Sequence, residues 1–328
     1  LAVVLLSVAL LLYLAALGVL WYKQDDLLFG RRTQDIIETP QQRGWTYEDV
    51  VIEVSGGTTH GWWIPLDNAR ATVLFSHGSG RNISGYLDDV ELFRELGLNV
   101  LLYDYGGYGQ STGAPSEARC YADIEVMWEY LVDTRGIASG EIILCGSSMG
   151  SGVTTELAVS TPTSPKSAGQ AATMDPSNQA DESTRDIASE SPRAGKDARD
   201  PRPATSTDAT GGMSMAVVLE SAFTSIPDTI TADYPYIPAR WICRSQFRSI
   251  DKVARIQSPI LIIHSQEDTV VPFSHGKALY EAAKEPKLFV EITGAHYGGK
   301  FSSKEAYLAG WEKFLEKVQQ SPVSEHGP

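Results

Sequence analysis

Cysteine is scarce in this sequence: Cys120, Cys145 and Cys243 are the only three in 328 residues. Three scattered thiols can build neither a disulfide framework nor a zinc site. No group of His, Cys, Asp and Glu has metal-ligand spacing, so no metal is expected. Basic residues are in deficit as well, with 27 Lys and Arg against 41 Asp and Glu, a formal charge of −14. With no long basic tract, the chain lacks the patch that phosphate contacts require, which argues against nucleic acid as a partner. No glycine-rich phosphate loop sits at a strand-helix junction, and no cofactor is expected. Large apolar residues are nearly missing from residues 161–212, a Ser, Thr, Ala, Pro, Asp and Arg-rich stretch that reads as a disordered surface insertion of spacer character. The chain as a whole is 42% hydrophobic, enough for a sizeable core.

Residues 1–22 are the counterpart of these absences: LAVVLLSVALLLYLAALGVLWY carries no charge. At about 1.5 Å per residue it spans a hydrocarbon core of about 30 Å. Trp21, Tyr22 and Lys23 read as an interfacial anchor. A cleavable signal peptide would have a shorter apolar core ending in a small-x-small site, so a single-pass, uncleaved membrane anchor is expected. Downstream, Lys23, Arg31 and Arg32 compete with Asp25 and Asp26, and topology stays open. Residues 23–44 are polar and read as a juxtamembrane linker.

From residue 45 the pattern changes. Residues 47–54 and 58–64 alternate about Ser55-Gly56-Gly57, a hairpin signature. Short apolar runs follow at 71–76, 99–103, 141–145, 216–220, 259–264 and 287–292. Helix-capable segments lie between them, at 83–96, at 117–133 behind a Ser116 cap, and after residue 148. A final helix over 304–318 places Tyr307, Leu308, Trp311, Phe314, Leu315 and Val318 on one stripe, which is core. Alternation of this kind predicts an α/β fold with a mostly parallel, eight-stranded sheet covered by helices on both faces. The domain spans 45–320, with a small cap over 221–250 above the pocket and a flexible tail at 321–328.

Within it, Gly146-Ser147-Ser148-Met149-Gly150 matches G-x-S-x-G between a strand and a helix. A serine on that sharp turn projects its hydroxyl from the sheet, and the next residue offers a free N–H. The flanking glycines suit a turn where a Cβ would clash. Gly109-Gln110-Ser111-Thr112-Gly113 fits the same pattern, but lies in a glycine-rich loop just before Pro115. Ser148 is therefore read as the nucleophile of a serine hydrolase, and Ser111 as a decoy.

A serine nucleophile needs a base, and the base needs an orienting acid. Of six histidines, His60 lies in the early hairpin, His264 ends a strand, His275 begins a helix and His326 is in the tail. His77 follows a strand in HGSG (77–80) and reads as support for an oxyanion loop. His296 sits in TGAHYGG (293–299), just past the last strand, where catalytic groups collect in open α/β sheets. It is the expected base. The acid should lie between them in sequence, and Asp268, past the strand of 259–264, is the first choice; Glu267 and Glu220 are the alternatives. Met149 and Ser79 are the expected backbone donors of the oxyanion hole.

The ordered set HGSG (77–80), YDYGGYGQSTG (103–113), GSSMG (146–150), LESAFTSI (219–226), PILIIHSQEDTVVP (259–272) and GAH (294–296) resembles the membrane-anchored α/β-hydrolase-domain serine hydrolases. That group has palmitoyl-protein-thioesterase-like, lysophospholipase-like and serine-aminopeptidase-like members. The resemblance implies an α/β-hydrolase fold with Ser148, Asp268 and His296 as the triad. It departs at Gly106, where the family usually has arginine (DYRGYG), removing a charged anchor for that loop, and at Tyr297, where asparagine often stands. A 161–212 insertion is not a feature of the group.

The expected function is a membrane-tethered serine hydrolase acting on an ester, thioester or amide, with acyl-lipid or acyl-protein as the substrate class. A serine aminopeptidase, which would need an acidic pocket floor for an α-amine, is the runner-up. A non-catalytic binding protein on the same fold would be marked by loss of a triad member, and none is lost. A dehalogenase would carry aspartate at the elbow.

Overall fold

The structure, a computed structural model, describes residues 1–30, 32–160 and 213–320. The insertion and the tail expected at 161–212 and 321–328 lie outside the described residues.

Helix α1 (Ala2–Phe29) takes in the whole apolar run and continues past Tyr22 through Lys23-Gln24-Asp25-Asp26 to Phe29, which is fully buried in the domain core. Among the described residues it is the one helix long and apolar enough to cross a membrane. The expected linker is thus helical in its first part. The rest lies along the domain: the Gly109 amide donates to Thr33, Asn82 to Asp35, and the Ile37 amide to Ser84 Oγ. A Thr39–Gln42 capping box closes a 3₁₀ turn at Pro40–Arg43.

Strands β1 (Glu48–Val54) and β2 (Gly57–Ile64) form the expected hairpin. Then come β3 (Ala71–Ser76), α2 (Leu87–Glu95), β4 (Leu98–Tyr103) and α3 (Glu117–Glu129). The helix expected over 83–96 begins instead as a 3₁₀ turn at Ile83–Tyr86, because Asn82 caps it locally through the Ser84 amide. The Ser116 hydroxyl caps α3 at the Arg119 amide, and a π-turn at Tyr130–Thr134 extends that helix to the expected end. Next are β5 (Ile142–Ser147), α4 (Met149–Ser160), β6 (Ala216–Glu220), α5 (Ile226–Asp233) and α6 (Ala239–Ile242). The chain closes with β7 (Ile260–Ser265), α7 (Phe273–Ala282), β8 (Lys287–Ile292), α8 (Gly299–Ser302) and α9 (Lys304–Gln320).

The eight strands form one sheet in the order β1-β2-β4-β3-β5-β6-β7-β8. Pairing is antiparallel at β1–β2 and β2–β4 and parallel from β4 through β8. This is the α/β-hydrolase arrangement that the motifs implied. The central strands β3, β5, β6 and β7 are buried at nearly every position, as expected of strands covered on both faces. One core face holds Leu74, Leu144, Met127 and Leu219; the other holds Phe75, Phe93, Cys145, Trp311 and Phe314. The parallel strands all run the same way, so the loops after β3, β5, β6, β7 and β8 meet at one edge.

Candidate active site

At that edge the nucleophile turn is held by backbone crowding. Ser148 has φ +53°, a left-handed conformation that L-residues adopt only under constraint. Its amide donates to the Glu220 carbonyl at 2.9 Å, which ties the elbow to the end of β6. A Cβ at Gly150 would lie 1.9 Å from the Ser76 carbonyl oxygen, and one at Gly146 would lie 2.3 Å from that of Gly150. Only glycine permits that approach of helix α4 to β3 and β5.

The loops after β7 and β8 bring two more groups to the elbow. His296 Nε2 is 2.9 Å from Ser148 Oγ, and His296 Nδ1 is 2.7 Å from Asp268 Oδ2. The imidazole and carboxylate side chains are almost wholly buried. Asp268 is fixed from the other side, since Oδ1 accepts the Val270 and Val271 amides at 2.9 and 2.8 Å. Burial pushes the Asp268 carboxyl up, but the hydrogen bonds from His296 and from those amides outweigh it and hold the group below its ordinary range. A carboxylate so held stays ionised and can orient an imidazole.

The two alternative acids have other roles. Glu267 accepts the Gly294 amide at 2.8 Å and so bridges the β7 and β8 loops. Glu220 accepts from Tyr307 Oη and from Lys300 Nζ, each at 2.5 Å. Ser111 is buried; its hydroxyl donates to the Asp104 carbonyl and accepts the His60 amide. That serine braces a loop and does not approach the elbow's histidine.

Met149 is the first residue of α4, so its amide is among the helix donors with no intrahelical acceptor. Ser79 lies on the HGSG loop, whose carbonyls are gathered by tyrosines. Tyr105 Oη donates to His77, Tyr108 Oη to Ser79, and Tyr86 Oη to Gly80 at 2.6 Å. His77 stacks among the same three rings, with centroids 4.6 to 5.5 Å away. The cage fixes the path of the loop through the carbonyls of His77, Ser79 and Gly80. Tyr105 and Tyr108 were present in the YDYGGYG motif and Tyr86 lies before α2, but nothing in their spacing pointed to loop carbonyls.

Gly106, the departure from the family pattern, is explained by a residue that sequence reasoning missed. A Cβ there would lie 2.8 Å from the Arg119 guanidinium carbon. Arg119, from α3, fills the space, donating to Asp123 at 2.7 Å and to the Thr58 carbonyl at 2.9 Å. Asp123 in turn accepts the Gly106 amide. The loop therefore keeps a buried guanidinium anchor, supplied from a different position in the chain.

Lys300 was also missed. One helical turn beyond His296, its ammonium sits 2.5 Å from Asp89 of α2 and 2.5 Å from Glu220 of β6. Burial alone would lower the Lys300 pKa, but the two carboxylates outweigh it and raise it above the ordinary 10.5. Burial raises Asp89, and Lys300 only partly offsets this. The histidine loop is thereby clamped to the sheet. A lysine at i+4 from the histidine was visible, but its partners lie 80 and 211 positions away.

Two further histidines stand behind the site. His264 Nε2 donates to the Val271 carbonyl at 2.9 Å, and His275 Nδ1 accepts from Thr224. Burial pushes both below the ordinary 6.5. Both are thus neutral when folded but protonate near 6.5 when unfolded, so their stabilisation is full above that pH and is lost as pH falls toward the folded values. The thermal midpoint is expected to drop between about pH 7 and about pH 5. A flat midpoint across that window, measured by circular dichroism, would contradict the neutral assignment.

Among the described residues no group of three or more His, Cys, Asp and Glu could hold a metal. What the arrangement can do is pass a proton from a hydroxyl to an imidazole that a buried carboxylate orients.

A family model described as serine aminopeptidase, S33, matches residues 67–189. Alpha/beta hydrolase domain-containing protein 17B of Xenopus tropicalis is 32% identical over 267 residues, covering 79% of this chain and 68% of that protein. The Homo sapiens protein of the same name is 32% identical over 266 residues, covering 78% and 69%. Among solved structures, an esterase from Pyrococcus furiosus superposes with a TM-score of 0.62 at 16% identity, covering 88% of this chain and 97% of its own. An alpha-beta hydrolase from Vibrio vulnificus gives 0.61 at 19%, covering 90% and 91%. These two likenesses concern the fold.

Proposed function

Because this chain belongs to the alpha/beta hydrolase domain-containing protein 17 family and is a serine-hydrolase-type enzyme, we propose that it cleaves acyl esters or thioesters through Ser148, His296 and Asp268 while tethered to a membrane by α1. The observation that carries this reading is the continuous chain of two hydrogen bonds, Ser148 Oγ to His296 at 2.9 Å and His296 to Asp268 at 2.7 Å.

In this mechanism His296 Nδ1–H donates to Asp268, which leaves Nε2 to accept the Ser148 proton. Ser148 Oγ attacks the acyl carbonyl, and the oxyanion is received by the amides of Met149 and Ser79. His296 returns the proton to the leaving alkoxide or thiolate. A water, deprotonated by the same imidazole, then releases the acid from the acyl-enzyme. No cofactor enters any step. Acyl-lipid or acyl-protein substrates follow from the tether, because α1 would hold the site near acyl chains.

The peptidase alternative needs a carboxylate free to bind an α-amine. Near the triad, Glu267 is engaged by the Gly294 amide, Glu220 by Lys300 and Tyr307, and Asp268 by His296. The test is turnover by the full chain in phosphatidylcholine vesicles of palmitoyl-coenzyme A, a nitrophenyl ester and an aminoacyl nitroanilide. Cleavage of the first two, with an initial burst, is expected. Preference for the anilide would move the chain to the peptidases.

A further inference from the structure

A groove of about 610 Å³ lies between α1 and the α5–α6 segment, and none of its lining residues belongs to the triad. Its walls include Leu17 and Leu20 from one side and Ile230, Tyr236, Ile237 and Ile242 from the other. This segment is the one expected as a cap, and it is bound to α1 at both ends of the groove. At one end Tyr13 Oη donates to the Tyr236 carbonyl at 2.6 Å. At the other, the Arg244 amide donates to Gln24 Oε1, its guanidinium pairs with Asp25 at 2.9 Å, and it lies 5.1 Å over the Trp21 ring. The groove is therefore apolar toward Tyr13 and polar toward Gln24.

That gradient runs along the helix that would sit in the bilayer. If Trp21 and Tyr22 mark the interface, Tyr13 lies about 12 Å deeper, at about 1.5 Å per residue, and carries Tyr236 with it. Backbone at such depth must satisfy its own polar groups. Most of the segment does so: the amides of Tyr234, Ile237, Ala239, Trp241, Ile242 and Cys243 bond to carbonyls within α5–α6 and its turns, and the exposed Arg240 guanidinium pairs with Asp228 at 2.9 Å. Pro235 and Pro238 have no amide to satisfy. Its aromatic side chains point outward, with Tyr234, Tyr236 and Trp241 exposed, Trp241 at 90%. An exposed aromatic cluster beside an apolar helix has the composition of an interfacial belt.

We infer that α5–α6 is a second membrane contact, submerged beside α1, and that the groove between them holds an acyl chain of a bilayer phospholipid. At the depth of Tyr13 and Leu17 acyl chains are the surrounding solvent, and they fit an apolar slot that opens along the anchor. The headgroup would lie at the Gln24, Asp25 and Arg244 end. This rests on the reading of α1 as a membrane anchor.

The test uses the full chain reconstituted in phosphatidylcholine vesicles doped with a phosphatidylcholine that carries a diazirine midway along one acyl chain. Flotation is measured first, then cross-linked peptides are mapped. Label is expected on residues 2–20 and on residues 226–242. Ile230→Trp, which fills the groove, is expected to lower labelling of 226–242 about fivefold, the loss of about one kcal/mol of apolar contact, with labelling of residues 2–12 unchanged. Leu17→Trp, from the opposite wall, should do the same. A chain that floats but is labelled on α1 alone, or whose 226–242 label neither variant lowers, overturns the groove assignment and leaves the anchor standing. A chain that does not float overturns the anchor, and the inference falls with it.

Discussion

Ser148→Ala is expected to remove all labelling by a fluorophosphonate probe and to lower ester turnover about 10⁶-fold, as when a triad nucleophile is lost. Ser111→Ala should keep both. The two serines share a pentapeptide pattern, and their surroundings separate them. Ser148 stands at φ +53° with its hydroxyl 2.9 Å from an imidazole. Ser111, in a buried loop, gives its proton to a backbone carbonyl at 2.7 Å and accepts the His60 amide. A fluorophosphonate reacts only with a serine whose proton can be withdrawn. Labelling that survives Ser148→Ala and disappears with Ser111→Ala would sink the mechanism proposed above, while the fold would remain as described.

Lys300→Met is expected to destabilise the chain by about 3–5 kcal/mol, the cost of leaving buried carboxylates without their cation. That is a large share of the roughly 5–15 kcal/mol by which most domains are stable. Asp89 and Glu220 would face each other across an apolar side chain, with Tyr307 still donating to one of them. A triple variant, Lys300→Met with Asp89→Asn and Glu220→Gln, should recover most of the loss in the thermal midpoint, because no unpaired charge remains. Activity should recover less, since the charged clamp that holds the His296 loop against β6 and α2 is gone. A Lys300→Met protein as stable as the parent would show that the buried cluster carries no net charge imbalance, contrary to its geometry.

Much of the fold was legible in short stretches. Alternation at 47–54 and apolar runs such as 71–76 and 259–264 marked eight strands because burial on one or both faces imposes a period that any window reveals. The elbow was legible for a similar reason: Gly146 and Gly150 stand where a backbone approach leaves no room for a Cβ. Element ends were less so. Asn82 draws the start of the helix expected at 83 into a 3₁₀ turn, and α1 runs beyond its apolar span to bury Phe29 in the core. Such endpoints depend on partners elsewhere in the chain, here Thr33, Asp35 and the core beneath.

By itself, then, this sequence determined an acidic α/β chain with an apolar leading helix, eight strands and one serine on a strand-to-helix turn. Those properties are local, written in composition, periodicity and turn chemistry. Only the tertiary structure decided which of three carboxylates lies against His296, that Arg119 occupies the space beside Gly106, and that Lys300 clamps the loop to α2 and β6. It also decided that residues 226–242 close a groove against α1. These are pairings between distant positions. A side chain's partner is set by where the chain crosses itself, and no stretch of sequence carries that information alone.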